Sequence, residues 1–184
     1  LEVNVTPDRG YCFSMRGLAR EYGHSTGAKF TDRGLPESLA APLPTSDEGA
    51  FEADVDPESV LEGRSAADRF VTRIVRGIDP KASPPKWMVR SLEQAGMRSL
   101  SLPVDVTNYL MLDLGQPLHA YDLGFVKAPF VVRRANEGEV FDTLDGSHLQ
   151  LDPGDVLITD SPEGKRASRI VGLAGVMGGL DSEV

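Results

Sequence analysis

Two polar side chains beside a predicted helix are the first candidates for chemistry. Thr107 and Asn108 follow Asp105, a residue type that commonly caps helices, and the apolar run after them predicts a helix over residues 106–114. The first turn of a helix is the positive end of its dipole, and polar side chains there can orient a carbonyl or a water. The same residues would also serve simply to complete the cap, so both roles stay open.

A single histidine follows this helix. His119 lies in the segment Gln-Pro-Leu-His-Ala-Tyr-Asp at 116–122, after the expected helix terminator Gly115. An imidazole can donate, accept or hold a water near neutral pH. We expect the turn to bring His119 towards the same pocket as Asn108, but a histidine in a proline-containing turn is also typical of a structural hydrogen bond.

The third candidate is the glycine-rich run Gly-Leu-Ala-Gly-Val-Met-Gly-Gly at 172–179. Its glycines leave backbone N–H groups accessible to a carboxylate or an oxyanion, and they would equally permit tight packing. The chain contains no Gly-x-x-x-x-Gly-Lys-Ser/Thr, His-Glu-x-x-His or Gly-x-Ser-x-Gly motif. Its three histidines are dispersed, so we predict no metal site.

Helices are predicted in the first two thirds of the chain. Ser14 is a plausible N-cap and Gly23 a plausible terminator for a short helix with apolar residues at helical spacing. A second helix is predicted from Ser83 as its cap, with Pro84 in the first position and Gly96 at its end. The helix over 106–114 is apolar on nearly all sides, which predicts burial.

Strands are predicted at 70–75 and then throughout the last third, where short β-type runs alternate with turns. These runs cover residues 130–134, 140–144, 148–151, 156–159 and 170–176, and Asp145-Gly146 indicates a hairpin turn. Helices grouped early and strands grouped late favour an α+β fold. We expect a large mixed, mainly antiparallel sheet packed with a few helices in a layered β/β/α sandwich.

Charge is concentrated in one stretch. The 184 residues carry 19 Lys and Arg against 28 Asp and Glu, but eight of the acids and no basic residue lie between Pro36 and Glu62. The remainder is nearly neutral, so an anionic polymer partner is not excluded. Because the stretch is proline-containing and poor in large apolar residues, it predicts a loop or insertion at 32–66. It separates an N-terminal strand-turn-helix part, residues 1–31, from a core at 67–184.

Several classes of protein are disfavoured. Cys12 is alone, so no internal disulfide is possible, and we give it no role beyond a small buried side chain. No apolar stretch reaches the ~20 residues of a membrane span, and the first residues lack the features of a signal peptide. We therefore expect a cytoplasmic protein. The chain opens on Leu1, and we expect it to be a piece of a longer polypeptide.

Together these residues resemble one family. They are similar to the third and fourth structural domains, the editing module, of the bacterial phenylalanyl-tRNA synthetase beta subunit. The blocks that carry the resemblance include Val-Asp-Val-Thr-Asn-Tyr and Gly-Gln-Pro-Leu-His-Ala-Tyr-Asp, and in chain order they are residues 2–10, 16–21, 104–109, 115–122, 143–146, 173–179 and 182–184. Nearly the whole chain outside the acidic stretch is covered.

The resemblance implies that the module hydrolyses tyrosine mistakenly esterified to tRNA(Phe). It assigns catalytic roles to His119, Asn108 and Gly175, and substrate-binding roles to Arg98, Thr107 and Ala174. A positioned water would be the nucleophile, and the Gly175 N–H would meet the substrate or the oxyanion. One departure concerns specificity, because the phenol-recognising glutamate of the family lies about one β element beyond Val184.

The resemblance also implies partners. These are the acceptor end of tRNA(Phe), the alpha subunit and the rest of the beta subunit in a heterotetramer, with no membrane. No cofactor is expected in this domain, whereas the parent enzyme uses ATP and Mg²⁺ elsewhere. Two other functions remain open: a non-catalytic module that docks tRNA or stiffens the subunit, and a small-molecule binder built on the glycine run.

Overall fold

The computed structural model describes residues 2–38 and 51–182. One unit comprises Leu1–Ser46 and Asp79–Leu118, and the other comprises Asp47–Ile78 and His119–Val184. The boundaries predicted at residues 31 and 66 differ from this division, because the chain leaves the first unit and later returns to it. The three α-helices of the described residues lie in the first unit and the described strands in the second, which confirms the α+β class with a mixed, mainly antiparallel sheet.

The first helix, α1 (Met15–Thr26), follows a short 3-10 turn at Gly10–Phe13. The Ser14 hydroxyl accepts the Gly17 N–H at 3.1 Å and donates to the Tyr11 carbonyl at 2.9 Å, so the predicted N-cap is confirmed. The predicted terminator is wrong. The helix continues past Gly23 and ends at Gly27, whose φ of 73° is the left-handed conformation that a helix C-cap favours.

The other two helices are α2 (Lys86–Gln94) and α3 (Leu102–Leu114). The expected cap at Ser83 is wrong: α2 begins after Pro85, because a proline disfavours helical geometry in the residue before it. Helix α3 begins four residues earlier than predicted, since Pro103 is tolerated in a first turn. It is half-buried, with Val106 and Met111 exposed, so the expected full burial is wrong. No helix of the described residues has the length and apolarity needed to cross a bilayer.

Nine strands are described in the second unit. They are β1 (Ala53–Val55), β2 (Val60–Leu61), β3 (Arg64–Ser65), β4 (Phe130–Arg134), β5 (Val140–Asp142), β6 (His148–Gln150), β7 (Val156–Asp160), β8 (Arg169–Leu173) and β9 (Met177–Gly178). Five of them form a sheet in the order β1-β4-β7-β8-β9, in which the β1–β4 pair is parallel and the others are antiparallel. Strands β2 and β3 pair with each other, as do β5 and β6.

The interval predicted as a loop at 32–66 contains part of this sheet. Strand β1 pairs with β4, and Phe51, Ala53 and Val55 pack against the core beside Phe130. The acids between them point outwards, so the alternation has the period of a strand despite its charge. The part of the interval at 39–50 lies outside the described residues.

The strand predicted at 70–75 is wrong. Phe70, Thr72 and Ile74 are half-buried, while Val71 and Val75 are exposed, so the inward and outward alternation is present. The segment nevertheless pairs with no strand among the described residues. It is joined to Phe51 by a side-chain hydrogen bond, in which the Thr72 hydroxyl donates to the Phe51 carbonyl at 2.6 Å. The inward and outward alternation therefore indicates side-chain burial in this segment and not pairing in a sheet.

The core of the second unit covers both faces of the sheet. One cluster contains Val126, Phe130, Val132, Ile158 and Val171. The other contains Ala135, Phe141, Leu151 and Leu157. Because neighbouring residues of β7 point to opposite faces, Leu157 and Ile158 belong to different clusters and both are almost fully buried. The sheet is therefore a firm support for the turns at its edge.

Candidate functional site

The direct contact between two predicted site residues is the main feature of the second unit. The backbone N–H of Gly175 donates to Nε2 of His119, with 3.0 Å between the nitrogens. Because Nε2 accepts, the neutral ring carries its hydrogen on Nδ1. The contact places an outward-facing amide donor beside an imidazole lone pair, on a turn that is exposed to solvent.

The glycine run forms a hairpin and not the single strand that was predicted at 170–176. Gly172 pairs with Gly178 and Leu173 with Met177, and the turn between these pairs contains Gly175, which has a φ of 72°. L-residues rarely adopt this conformation, which explains a glycine at the tip. The turn presents the Gly175 N–H to His119.

A second hairpin holds the base of this one. The β5–β6 connection carries the predicted Asp145-Gly146 turn, in which Gly146 donates to the Thr143 carbonyl at 2.9 Å. Thr143 forms a bridge with Gly179, and the Leu144 N–H donates to the Gly178 carbonyl at 3.0 Å. The Thr-Leu-Asp-Gly segment therefore contributes to the position of the glycine hairpin, a role that its sequence did not indicate.

Ala174, the neighbour of Gly175, faces inwards. Its N–H donates to the Val156 carbonyl at 2.8 Å, and its side chain packs against the core cluster of Phe130. The amide of Ala174 is thus engaged by the sheet while that of Gly175 faces the imidazole. The substrate-binding role of Ala174 stays a prediction.

The remaining predicted site residues lie in the first unit. Thr107 and Asn108 are in the second turn of α3 and not in its first, because the helix starts at Leu102. The dipole argument made for them is therefore weak, since that effect decays within one turn. The Thr107 hydroxyl donates to the Val104 carbonyl at 2.8 Å, a bond within its own helix. Their assigned roles stay predictions.

Arg98 precedes a structural anchor of the first unit. The fully buried Asp105 accepts the Ser99 hydroxyl at 2.5 Å and the Leu100 N–H at 2.9 Å, which ties the segment before α3 to its first turn. Arg98 itself is exposed and forms no hydrogen bond or ion pair within 2–38 and 51–182. Asp105 thus fixes the start of α3 from inside and does not occupy the predicted cap position.

Burial lowers the pKa of His119 below its ordinary value of 6.5. The ring is therefore neutral at pH 7, which is the state that can accept from Gly175. Protonation would put a hydrogen on Nε2 and remove that acceptor. Among the described residues no group of His, Cys, Asp and Glu is arranged to hold a metal ion.

The lowered pKa predicts a pH dependence of stability. Below 6.5 the unfolded chain binds a proton that the folded His119 still excludes, so folding stability should fall as the pH falls below 6.5 and be unaffected by this group above it. We expect the melting temperature to fall relative to that of His119→Gln between about pH 7 and about pH 5. A difference in melting temperature between the two proteins that stays constant over this pH range would contradict the prediction.

Two groups near the site were missed from sequence. Tyr121 stacks beside His119, with nearly parallel rings whose centroids are 6.2 Å apart. Asp160, fully buried, accepts two hydrogen bonds from the guanidinium of Arg169, at 2.8 and 2.5 Å, and a third from the Lys127 N–H at 2.8 Å. Tyr121 two residues after His119 could have been noticed, because i and i+2 share a face of an extended segment.

This α+β chain, with a histidine facing a glycine-turn amide, matches a known domain family. The family model is the B3/4 domain, and it matches residues 66–184. The chain belongs to the B3/4 domain family.

Comparison with individual proteins gives a narrower class than the domain family. The chain is similar over its whole length to phenylalanine–tRNA ligase beta subunits: 56% identical to that of Bifidobacterium longum (strain NCC 2705), 50% to that of Leifsonia xyli subsp. xyli (strain CTCB07) and 46% to that of Thermobifida fusca (strain YX). It covers 22%, 20% and 20% of these relatives. The chain thus spans about a fifth of the length of the curated relatives it matches.

Proposed function

We propose that the chain is the editing module of a cytoplasmic phenylalanine–tRNA ligase beta subunit and hydrolyses tyrosine mistakenly esterified to tRNA(Phe). Its partners are then the acceptor end of that tRNA, the alpha subunit and the rest of the beta subunit in a heterotetramer. ATP and Mg²⁺ serve aminoacylation elsewhere in that assembly. The similarity to the beta subunits supports this proposal.

The observation that carries the proposal is the 3.0 Å contact between the Gly175 N–H and His119 Nε2. Ester hydrolysis needs a hydrogen-bond donor where the oxyanion develops and an acceptor that orients the attacking water. The two groups supply one of each and satisfy each other at rest. A bound ester carbonyl would take the Gly175 N–H, which frees Nε2 to accept from the water.

The reaction then balances as a simple hydrolysis. The water oxygen adds to the tyrosyl carbonyl carbon while the Gly175 N–H donates to the carbonyl oxygen. The ester C–O bond breaks, the ribose oxygen ends with a proton that came from the water, and tyrosine is released. His119 orients the water in this scheme, and it is not required to act as the general base that accepts the proton of the water.

Selectivity for tyrosine is expected from the physics of a second pocket. A pocket shaped for phenylalanine rejects an added hydroxyl by only about 10², whereas a pocket that hydrogen-bonds the phenol rejects phenylalanine by about 10⁴ or more. The difference arises because buried polar groups of the second pocket would be left unpaired by phenylalanine. An editing site that follows the synthetic site can therefore supply the missing discrimination.

The test is single-turnover deacylation by the complete ligase. Preformed tyrosyl-tRNA(Phe) should be hydrolysed much faster than phenylalanyl-tRNA(Phe) under identical conditions. Equal, slow loss of tyrosine with and without the enzyme would refute an editing function and favour the docking alternative.

One observation favours a docking role as a second candidate function. Arg64, Arg69, Arg73 and Arg76 are exposed, and none forms an ion pair with another described residue. Residues 64–76 contain only one acid, Asp68. Unpaired guanidinium groups close together in sequence suit phosphate contacts, which dominate affinity for nucleic acids. This role is compatible with editing, since a hydrolytic module must also hold its tRNA.

Arginine replacement distinguishes this role. We expect Arg73→Gln with Arg76→Gln to weaken tRNA binding and to make the plot of log affinity against log salt shallower by about 0.7 to 0.9 per arginine lost. Arg166→Gln is the matched control, because Arg166 is already paired with Asp54 at 2.6 Å. A salt slope unchanged in the double variant would remove this segment from the tRNA interface.

A further inference from the structure

We propose that Tyr121 is a positioning residue for His119, and that Gly172 lacks a side chain in order to seat Tyr121. The proposal deepens the editing function and rests on it for its catalytic consequence. Its structural part concerns the free protein and can be tested without tRNA.

Tyr121 connects His119 to the core of the second unit. Its ring lies 6.2 Å from that of His119, at 15° between planes, and 5.2 Å from that of Phe130, at 48°. Phe130 is 5% exposed and also packs against Phe51 and Phe70. A series of packed aromatic rings at these separations is favourable and stiff, because each ring has few torsions to lose. This packing fixes the plane of the imidazole, and with it the direction of the Nε2 lone pair towards Gly175.

The hydroxyl of Tyr121 does not explain its presence. The oxygen is buried and has no hydrogen-bond partner among the described residues. A buried unpaired hydroxyl is destabilising, and burial together with the nearby Asp160 carboxylate raises the pKa of this phenol, so that it stays protonated. The ring is therefore the useful part of this side chain.

Gly172 provides the space that the Tyr121 side chain occupies. A Cβ atom built on Gly172 would lie 2.9 Å from the Tyr121 hydroxyl oxygen, whereas the next nearest atoms, the Met177 carbonyl oxygen at 3.5 Å and the Gly178 Cα at 3.9 Å, are at ordinary contact distances. The phenolic oxygen is thus the single close neighbour. Gly172 has no positive φ, so the close approach to Tyr121, and not backbone conformation, is what opposes a side chain there.

This arrangement predicts a rescue. In Gly172→Ala the new methyl group must displace Tyr121 and with it the ring of His119. In the double variant Gly172→Ala with Tyr121→Phe, the clashing oxygen is absent and the ring can return. Gly178→Ala is the matched control from the same hairpin, because a Cβ there would meet nothing within 4 Å.

The readout is hydrogen exchange at the Gly175 amide in the complete ligase without tRNA, resolved by fragmentation mass spectrometry. We expect exchange about tenfold faster in Gly172→Ala, and wild-type protection in Tyr121→Phe, in Gly178→Ala and in the double variant. Tyr121→Leu, which retains apolar bulk without the ring, should lose protection as Gly172→Ala does. Protection that is unchanged in Tyr121→Leu, or no recovery in the double variant, would overturn the proposal.

Deacylation of tyrosyl-tRNA(Phe) is measured on the same proteins. We expect kcat to fall about tenfold or more in Gly172→Ala with little change in KM, and to recover in the double variant, because misplacement of a reacting group affects the chemical step. Should the exchange pattern appear in a ligase that has no deacylation activity, the positioning role would stand and the editing function would fail. A recovery of kcat without recovery of Gly175 protection would contradict positioning through this contact.

Discussion

The substitution His119→Ala is expected to reduce hydrolysis of tyrosyl-tRNA(Phe) by the complete ligase about 100-fold or more, while aminoacylation with phenylalanine is unchanged. The imidazole supplies the acceptor for the attacking water, and its loss also leaves the Gly175 N–H without its resting partner. The alanine side chain can neither accept a hydrogen bond from the water nor accept one from the Gly175 N–H. The measurement is single-turnover deacylation of preformed tyrosyl-tRNA(Phe), with the aminoacylation rate determined on the same preparation.

His148→Ala is the control for this prediction. His148 lies in the same unit on β6, where it is exposed and contacts Asp142 at 2.6 Å. The His148→Ala ligase should hydrolyse tyrosyl-tRNA(Phe) at the wild-type rate. Asn108→Ala tests the first unit separately, because the catalytic role of Asn108 was assigned by the family resemblance. Hydrolysis unaltered in His119→Ala would favour the docking module over the editing hydrolase.

The largest stability effect is expected from Asp160→Ala. The carboxylate is fully buried and holds the Arg169 guanidinium and the Lys127 N–H, so its removal leaves the guanidinium without its counter-ion and the amide without its acceptor. We expect a loss of about 2 to 4 kcal/mol, somewhat less than for a fully enclosed pair, because a third of the Arg169 side chain remains exposed. The measurement is the opening free energy of β7 and β8 by native-state hydrogen exchange.

Asp54→Ala is the matched control for Asp160→Ala. Asp54 pairs with Arg166 at 2.6 Å in the same unit, but both side chains are about half exposed, at 53% and 51%. Exposed pairs typically contribute about 0 to 1 kcal/mol, so this variant should be nearly neutral. Equal effects of the two substitutions would show that burial does not decide the contribution of the Asp160–Arg169 pair.

Local signals predicted those elements whose ends are fixed by neighbouring residues. Ser14 caps α1 and Gly115 ends α3 as expected, because capping depends on a few adjacent atoms. The hairpin at Asp145-Gly146 was predictable for the same reason. Strand β1 was missed because its partner Phe130 is 77 residues away from Ala53, and because its acidic outward face resembled a disordered segment.

The site was predicted residue by residue and not as a geometry. His119 and Gly175 were both named from sequence, but their direct hydrogen bond depends on a hairpin turn that had been interpreted as a continuous strand. The position assigned to Asn108 in a first turn was wrong because Pro103 was not counted into the helix. The support from Tyr121 depends on packing against Phe130, which no local pattern encodes.

The central claim is that the Gly175 amide serves the reacting carbonyl, and a structure of the complete ligase with a stable substrate mimic tests it most directly. The mimic is tyrosine joined to the 3′ position of adenosine through an amide in place of the ester. The account predicts the tyrosyl carbonyl oxygen about 2.7 to 3.1 Å from the Gly175 nitrogen, with His119 Nε2 released from that amide. A mimic bound with its carbonyl elsewhere, while the Gly175 N–H still donates to His119, would contradict the account.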